Sequence, residues 1–255
     1  MSSLAVGLIA FAFIFGGALL GMFLRGAMPQ NHLSDDSKDS VKLGMGLVAT
    51  MCALVLGLLI ASAKTYYDTQ NAELTEMSAK IVLLDRMLAH YGPETNDSRA
   101  LLRSVVERSI DRLWQRGGPP GSHLDPAAVS SETLSEKTLR LSPKDDRQRV
   151  IQSHAMSLEI SLGQTRWLML EQESTQVRKP LVVTLVFWLT IIFIGWGIFA
   201  PRNATVVATW FASALSVSSA IFLILEMYTP YAGLILVSSD PLRAALESHC
   251  ACNTA

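Results

Sequence analysis

The side chains able to do chemistry in the apolar parts of this 255-residue chain are mostly hydroxyls: Thr50, Ser62, Thr184, Thr190, Thr209, Ser213, Ser216, Ser218 and Ser219. In a helix such groups return a hydrogen bond to the preceding turn, or they line a wet path along which an ion trades hydration for protein dipoles. Thr209, Ser213 and Ser216 share one helical face and would carry the second reading. Glu226 is the one acid at the edge of an apolar block, placed either to reach the interface beside Tyr228 and Tyr231 or to mark an ion path. The tail His249-Cys250-Ala251-Cys252 has metal-capable atoms, yet a site needs about four ligands and there is no second cluster. It reads as a mobile tail, so no metal is expected. Phosphate-binding glycine loops, paired-His metal helices and nucleophile elbows are missing, and the five histidines are scattered through polar segments. Neither an enzyme nor a cofactor is expected.

The elements that must position these groups are four blocks without a charged side chain: Leu4 to Leu24, Leu43 to Ala63, Leu181 to Ala200 and Ala204 to Leu225. About 20 apolar residues of helix cross a hydrocarbon core of about 30 Å. The expected class is therefore all-α, an integral membrane protein with four transmembrane helices and a helical cytoplasmic region between the second and third. Composition agrees, with 50% hydrophobic and 17% charged residues. The first block is longer than the apolar core of a secretory signal and has no positive residue ahead of it, so it reads as a retained span.

Counting crossings puts the N-terminus, the middle segment and the C-terminus on one side, expected to be the cytoplasm. The Arg25 to Lys42 loop and the Pro201-Arg202-Asn203 turn lie on the other side. The expected organisation is 1–63, a first transmembrane pair; 64–180, a helical stalk region with a flexible linker near 117–141; 181–227, a second hairpin; and 228–255, an interfacial segment with a short helix and tail. The middle segment from Lys64 to Pro180 holds sixteen acids and sixteen basic residues, so it is neutral, and no nucleic-acid partner is implied. The lipid bilayer is the first partner. The three cysteines are too sparse for a disulfide framework.

Beyond Ala63 the apolar residues Leu74, Met77, Ile81, Leu84 and Leu88 continue at helical spacing, and Gly92-Pro93 ends the run. The second span thus extends into a stalk. An amphipathic helix at Ser98 to Arg116 buries Leu102, Val105, Val106, Ile110, Leu113 and Trp114. Arg99, Arg103, Arg108, Arg112 and Arg116 lie largely on its other face, solvated and paired with Glu107 and Asp111, or presented to an anionic surface. Gly117 to Ser122 breaks the chain, and at most one short helix precedes Leu141. Ser142-Pro143 with Asp145 and Asp146 opens a further helix leading to the third span. Asn203 is placed to cap the fourth span, and Asp240 to cap a last helix from Pro241; Tyr231 to Val237 is too short to cross and is expected at the interface.

Small residues recur four apart on the second span at Ala49, Ala53, Gly57 and Ala61. The fourth span repeats the spacing at Ala204, Ala208, Ala212, Ser216 and Ala220, and Gly17 and Gly21 form a pair on the first. Such rows let membrane helices approach closely. Within one chain, between subunits or facing a pore are three uses the pattern leaves open; Ala49, Ala53, Gly57, Ala208, Ala212 and Ser216 are the helix-packing candidates.

The runs Phe199-Ala-Pro-Arg-Asn-Ala-Thr-Val-Val-Ala, Ala214-Leu-Ser-Val, Ala220-Ile-Phe-Leu-Ile-Leu-Glu226 and Pro230-Tyr-Ala-Gly-Leu-Ile-Leu-Val-Ser-Ser-Asp-Pro-Leu resemble the C-terminal half of the bacterial bestrophin-like family of four-span membrane proteins. Gly44 to Ala63 running into Tyr66-Tyr67-Asp68 resembles its N-terminal half. The resemblance implies a multi-pass protein of a bacterial inner membrane. By analogy with true bestrophins, which are largely pentameric, it further implies a homo-oligomer passing small ions, anions such as chloride, through a pore lined by the second span. The implied pore-lining candidates are Leu54, Leu58, Ala61, Ser62 and Glu226, with Leu54, Leu58 and Ala61 in an apolar neck. The aromatic neck residue and acidic calcium clasp of animal bestrophins are not matched here, so calcium gating is not implied. The alternative is a membrane-anchored interaction or sensory protein docking a cytoplasmic partner through its stalk. A transporter ranks third, since inverted repeats and broken helices are not evident.

Overall fold

The computed structural model describes residues 2–26, 35–114, 130–174 and 179–251, with side chains assigned except at 35–38, 112–113, 130–132, 170–174, 179 and 248–251. The expected break at Gly117 to Ser122 and the residues Arg116 and Cys252 of the sequence patterns lie outside the described residues, as do the side chains of Arg112 and Leu113. Eight α-helices are seen among the described residues, and no strand. The fold class is all-α, as composition and periodicity indicate. By length and composition four of the helices can cross a membrane.

Two compact units form. The first comprises Met1–Tyr66 with Val177–Thr229, and the second Tyr67–Gln176 with Pro230–Ala255. One helix, α2, belongs to both.

The first unit contains α1 (Ser3–Leu24), the first part of α2 (Asp35–Tyr91), α6 (Lys179–Phe199) and α7 (Ala204–Met227). Residues Asp35 to Lys42, expected as loop, are helical and lengthen α2 to 57 residues, about 85 Å at 1.5 Å per residue. Glycine sets the closest packing. A methyl group on Gly17 would sit 3.2 Å from the Thr190 carbonyl oxygen, and one on Gly21 or Gly197 would run into the Ile194 or Ala18 carbonyl. The backbones of α1 and α6 therefore touch and run parallel, and a methyl group on Gly7 would sit 3.2 Å from Phe222 Cβ of α7 while Phe11 and Phe15 meet Phe211, so α1 and α7 are antiparallel. Lipid tails compete equally for apolar contact, and close backbone approach is what allows these helices to associate. Around the glycines lie Ile14, Ala18, Leu185, Ile192, Ala214, Ile221 and Ile224, with Cys52, Leu59 and Ala63 from α2. Tyr66 stacks on Tyr228 at 5.3 Å, so α2 runs parallel to α7. Four alternating passes result.

At the other end of this unit Arg25 donates to the Ala200 carbonyl, and Arg202 Nη2 donates to the Met22 carbonyl at 3.1 Å. Asn203 holds the N-cap position of α7, but its side chain makes no capping bond, contrary to expectation. Five of the nine span hydroxyls behave as the local reading expects, Thr50, Thr184, Thr190, Thr209 and Ser219 each donating to the carbonyl four residues back at 2.7–2.9 Å, whereas Ser218 Oγ is buried with no hydrogen-bond partner among the described residues.

The second unit packs the rest of α2 with α3 (Asn96–Trp114), α4 (Ser130–Leu139), α5 (Asp146–Ser174) and α8 (Asp240–Ala251). Leu74, Ile81, Leu84, Leu88, Leu102, Val106, Ile110, Ala155 and Met169 form its core. In water, burying a side chain of leucine size contributes about 1.5–3 kcal/mol. Gly92, with φ 138°, ends α2 in a conformation that favours glycine. The helix expected from Ser142 begins later: Asp145 Oδ1 accepts from the Gln148 N–H at 2.7 Å, while Gln148 Oε1 accepts from the Lys144 N–H at 2.7 Å. Residues Tyr231 to Val237 fold onto this unit. Tyr231 donates to Gln70 Oε1 at 3.1 Å, Trp114 Nε1 donates to the Val237 carbonyl at 2.9 Å, and Leu234 at the tip stays exposed. The backbone of His249 to Ala251 completes α8 and is helical, not a tail.

Candidate pore-lining site

Helix α2 presents two different faces within the first unit. Met45, Cys52, Leu59 and Ala63, spaced seven, seven and four apart, are buried against the unit. On the opposite side of the same helix Leu43, Leu47, Leu54, Leu58 and Ala61 are exposed, with Leu54 at 66% and Leu58 at 67% against 3% for Cys52. At 3.6 residues per turn these five form one stripe. Leu54, Leu58 and Ala61 therefore share a face, and Ser62 lies exposed at its edge. Leu43 and Leu47 extend the stripe and were not singled out from the sequence, although the seven-residue step from Leu47 to Leu54 was there to see. Glu226 is not among them: it is buried on α7, 3% exposed.

The small-residue rows divide in the same way. Gly17 and Gly21 are filled by α6, but Ala53, Gly57, Ala61, Ala208, Ala212 and Ser216 are exposed and Ala49 is half-buried. A methyl group on Gly57 would meet nothing within 4 Å. These rows are not consumed by packing among the described residues.

The second unit holds two buried polar groups. Arg99, expected on the solvated face of α3, is buried, and its Nε and Nη2 donate to the two oxygens of Asp85 at 2.8 and 3.1 Å. The acceptor lies fourteen residues earlier on α2, beyond any helical offset. Arg103 and Glu107 make the expected exposed pair at 2.8 Å. Between α4 and α5, Thr138 Oγ1 lies 2.7 Å from Glu159 Oε1 and 3.1 Å from the Leu134 carbonyl oxygen. Glu159 Oε2 is buried and has no hydrogen-bond partner among the described residues. Burial pushes the Glu159 carboxyl above its ordinary value, against hydrogen bonds to Thr138 and Ser135 that pull the other way. The hydroxyl has one proton for two acceptors. A protonated Glu159 donating to Thr138 Oγ1 leaves that proton for Leu134, which satisfies both. On the surface, Lys144 pairs with Glu94, raising the one and lowering the other. No cluster of three or more potential metal ligands occurs among the described residues.

Four alternating spans, one of them turning an uncharged leucine stripe away from the chain, define an all-helical membrane protein. The model of the Bestrophin-like domain matches residues 12–242, and the chain belongs to the bestrophin-like family. Searches of curated proteins and of solved structures return no match.

Proposed function

We propose that the protein is a homo-oligomeric channel for small ions, anions such as chloride, in a bacterial inner membrane with both termini and the second unit in the cytoplasm. The observation that carries this reading is the two-faced α2. Its buried face, Cys52, Leu59 and Ala63, belongs to the core of the first unit, while Leu54, Leu58 and Ala61 face outward on a helix without charge from Leu43 to Ala63. Repeated around a symmetry axis, that stripe forms an apolar neck that gates by wetting and dewetting, with Ser62 beside it. The open rows Ala53 and Gly57 on α2 and Ala208, Ala212 and Ser216 on α7 give neighbouring subunits a close-packing surface. Family membership supports ion passage. Purified oligomer in planar bilayers is expected to show unitary currents whose reversal potential follows the chloride gradient. Silent bilayers with a correctly assembled ring contradict it.

One observation favours a second reading. Ile160, Trp167 and Leu168 form an exposed apolar face on α5, the kind of surface that docks a protein partner. With a photo-crosslinking residue at position 167 of the full-length chain, capture of a different protein supports a docking role, whereas capture of a second copy supports assembly.

A further inference from the structure

A groove of about 400 Å³ lies at the Arg202 end of the first unit, lined by Leu19, Met22 and Phe23 of α1 and by Arg202, Asn203, Ala204 and Val207 at the start of α7. That volume falls within the range of about 300–1,000 Å³ common to ligand sites. Its walls are apolar and open outward, with Leu19 and Phe23 exposed. Its rim is cationic. Arg202 is held over one end by its bond to the Met22 carbonyl, which uses one of five donors. Arg25 sits at the same end, tied to the Ala200 carbonyl, and neither the residues that line the groove nor the first turn of α7 include an acid. The Val207 N–H reaches the Asn203 carbonyl at 3.2 Å, so the N–H groups of Ala204, Thr205 and Val206 precede the first intrahelical bond. Asn203 does not cap them.

We propose that this groove holds one anionic phospholipid, its phosphodiester on the Arg202 guanidinium and the open N–H groups of α7, and one acyl chain along Leu19, Phe23 and Val207. The groove stands at the end of uncharged spans, the depth at which headgroups meet hydrocarbon. A guanidinium matches phosphate oxygens in planar, bidentate fashion, and a helix N-terminus favours the same charge. A free phosphate explains the rim but leaves the apolar wall exposed. A zwitterionic lipid fills the wall but brings a further cation to a groove already lined by Arg202. The inference rests on the four spans and not on ion conduction.

The test uses full-length protein in mild detergent, with thermal melting and native mass spectrometry read against phosphatidylglycerol, phosphatidylcholine and glycerol 1-phosphate. Phosphatidylglycerol is expected to raise the melting midpoint more than phosphatidylcholine and to remain bound as one molecule per chain. Glycerol 1-phosphate is expected to do neither. Arg202→Gln should weaken retention about tenfold, the size of one charge-assisted hydrogen bond, and erase the preference between lipids. Ala204→Phe, which fills the groove and leaves the arginine, should lower retention of both lipids and covers the case in which Arg202→Gln does not fold. Arg149→Gln, on α5, should change nothing. Equal effects of the two lipids on the unmodified protein, an unchanged preference in Arg202→Gln, or full protection by glycerol 1-phosphate each overturn the proposal.

Discussion

The two units are built from the same kind of element and held by opposite means. In the first, α1 and α6 meet where side chains are missing: Gly17, Gly21 and Gly197 let backbone touch backbone. In the second, helices meet where side chains are largest, around Leu74, Leu84, Leu88 and Met169, and one ion pair, Asp85 with Arg99, is enclosed with them. Lipid already satisfies an apolar surface, so only contact closer than lipid can make is selective. Water does not, so burying leucine is itself the driving force. The difference also shows where a leucine surface is left over. On α2 and on α5 it stays exposed, Leu54 and Leu58 in one unit and Trp167 and Leu168 in the other, but only the first lies on a helix apolar enough to cross a membrane.

Substitutions that separate these two means of packing have graded consequences. Asp85→Ala leaves a buried guanidinium without its carboxylate and is expected to cost the second unit about 3–5 kcal/mol, read as a lowered melting midpoint in detergent. Gly21→Ala pushes a methyl group into the Ile194 carbonyl and should cost the first unit about 1–3 kcal/mol. The same change at Gly57, where the space is open, should stay within about 0.5 kcal/mol for the subunit and alter only assembly, measured by light scattering. If Gly21→Ala and Gly57→Ala behave alike, the contrast between filled and open glycines is wrong.

The pH dependence sharpens the comparison further. Because burial raises the Glu159 carboxyl, the folded chain holds a proton that the unfolded chain releases near its ordinary value of 4.5. The stability from this group is complete below that value and is lost as pH rises through the higher folded value. Stability of the second unit should therefore decline over that interval, and Glu159→Gln, which stays neutral, should remove the decline. The opposite slope would show that the carboxylate is held charged. Smallest of all, Lys144→Ala removes a fully solvated partner of Glu94 and is expected to leave the melting midpoint where it was.

Local patterns carried much of the fold. The spacing of Leu74, Met77, Ile81, Leu84 and Leu88 is helical, and α2 is one helix through them. The charge-free blocks match α1, α6 and α7 to within two residues at each end. What escaped was long-range. Arg99 stands three residues before Leu102 and seven before Val106, so by period it shares the buried face of its own helix, but its partner comes from α2, and no offset along α3 announces it. Ser142-Pro143 looks like a helix start, but Asp145 forms the bond to Gln148 that decides the first turn. Tyr231 to Val237 is too short to cross, as its length indicates, but length does not announce that the indole of Trp114 binds the Val237 carbonyl and holds the segment on the second unit. For the candidate site, the four-residue step of Ala53, Gly57 and Ala61 was visible, but which side of α2 the unit covers depends on Met45, Cys52 and Leu59 being buried, and periodicity in an all-apolar helix does not distinguish its faces.

The most direct test of the central claim is chloride current through single-cysteine channels in planar bilayers, with Cys52, Cys250 and Cys252 replaced by alanine and a charged, water-soluble thiol reagent added. Modification of Leu58→Cys on the outward stripe of α2 is predicted to change the current, while modification at Phe13→Cys, exposed on α1, leaves it unchanged. Equal responses at both positions, or a Leu58→Cys channel that conducts and is indifferent to the reagent, would contradict a pore lined by α2.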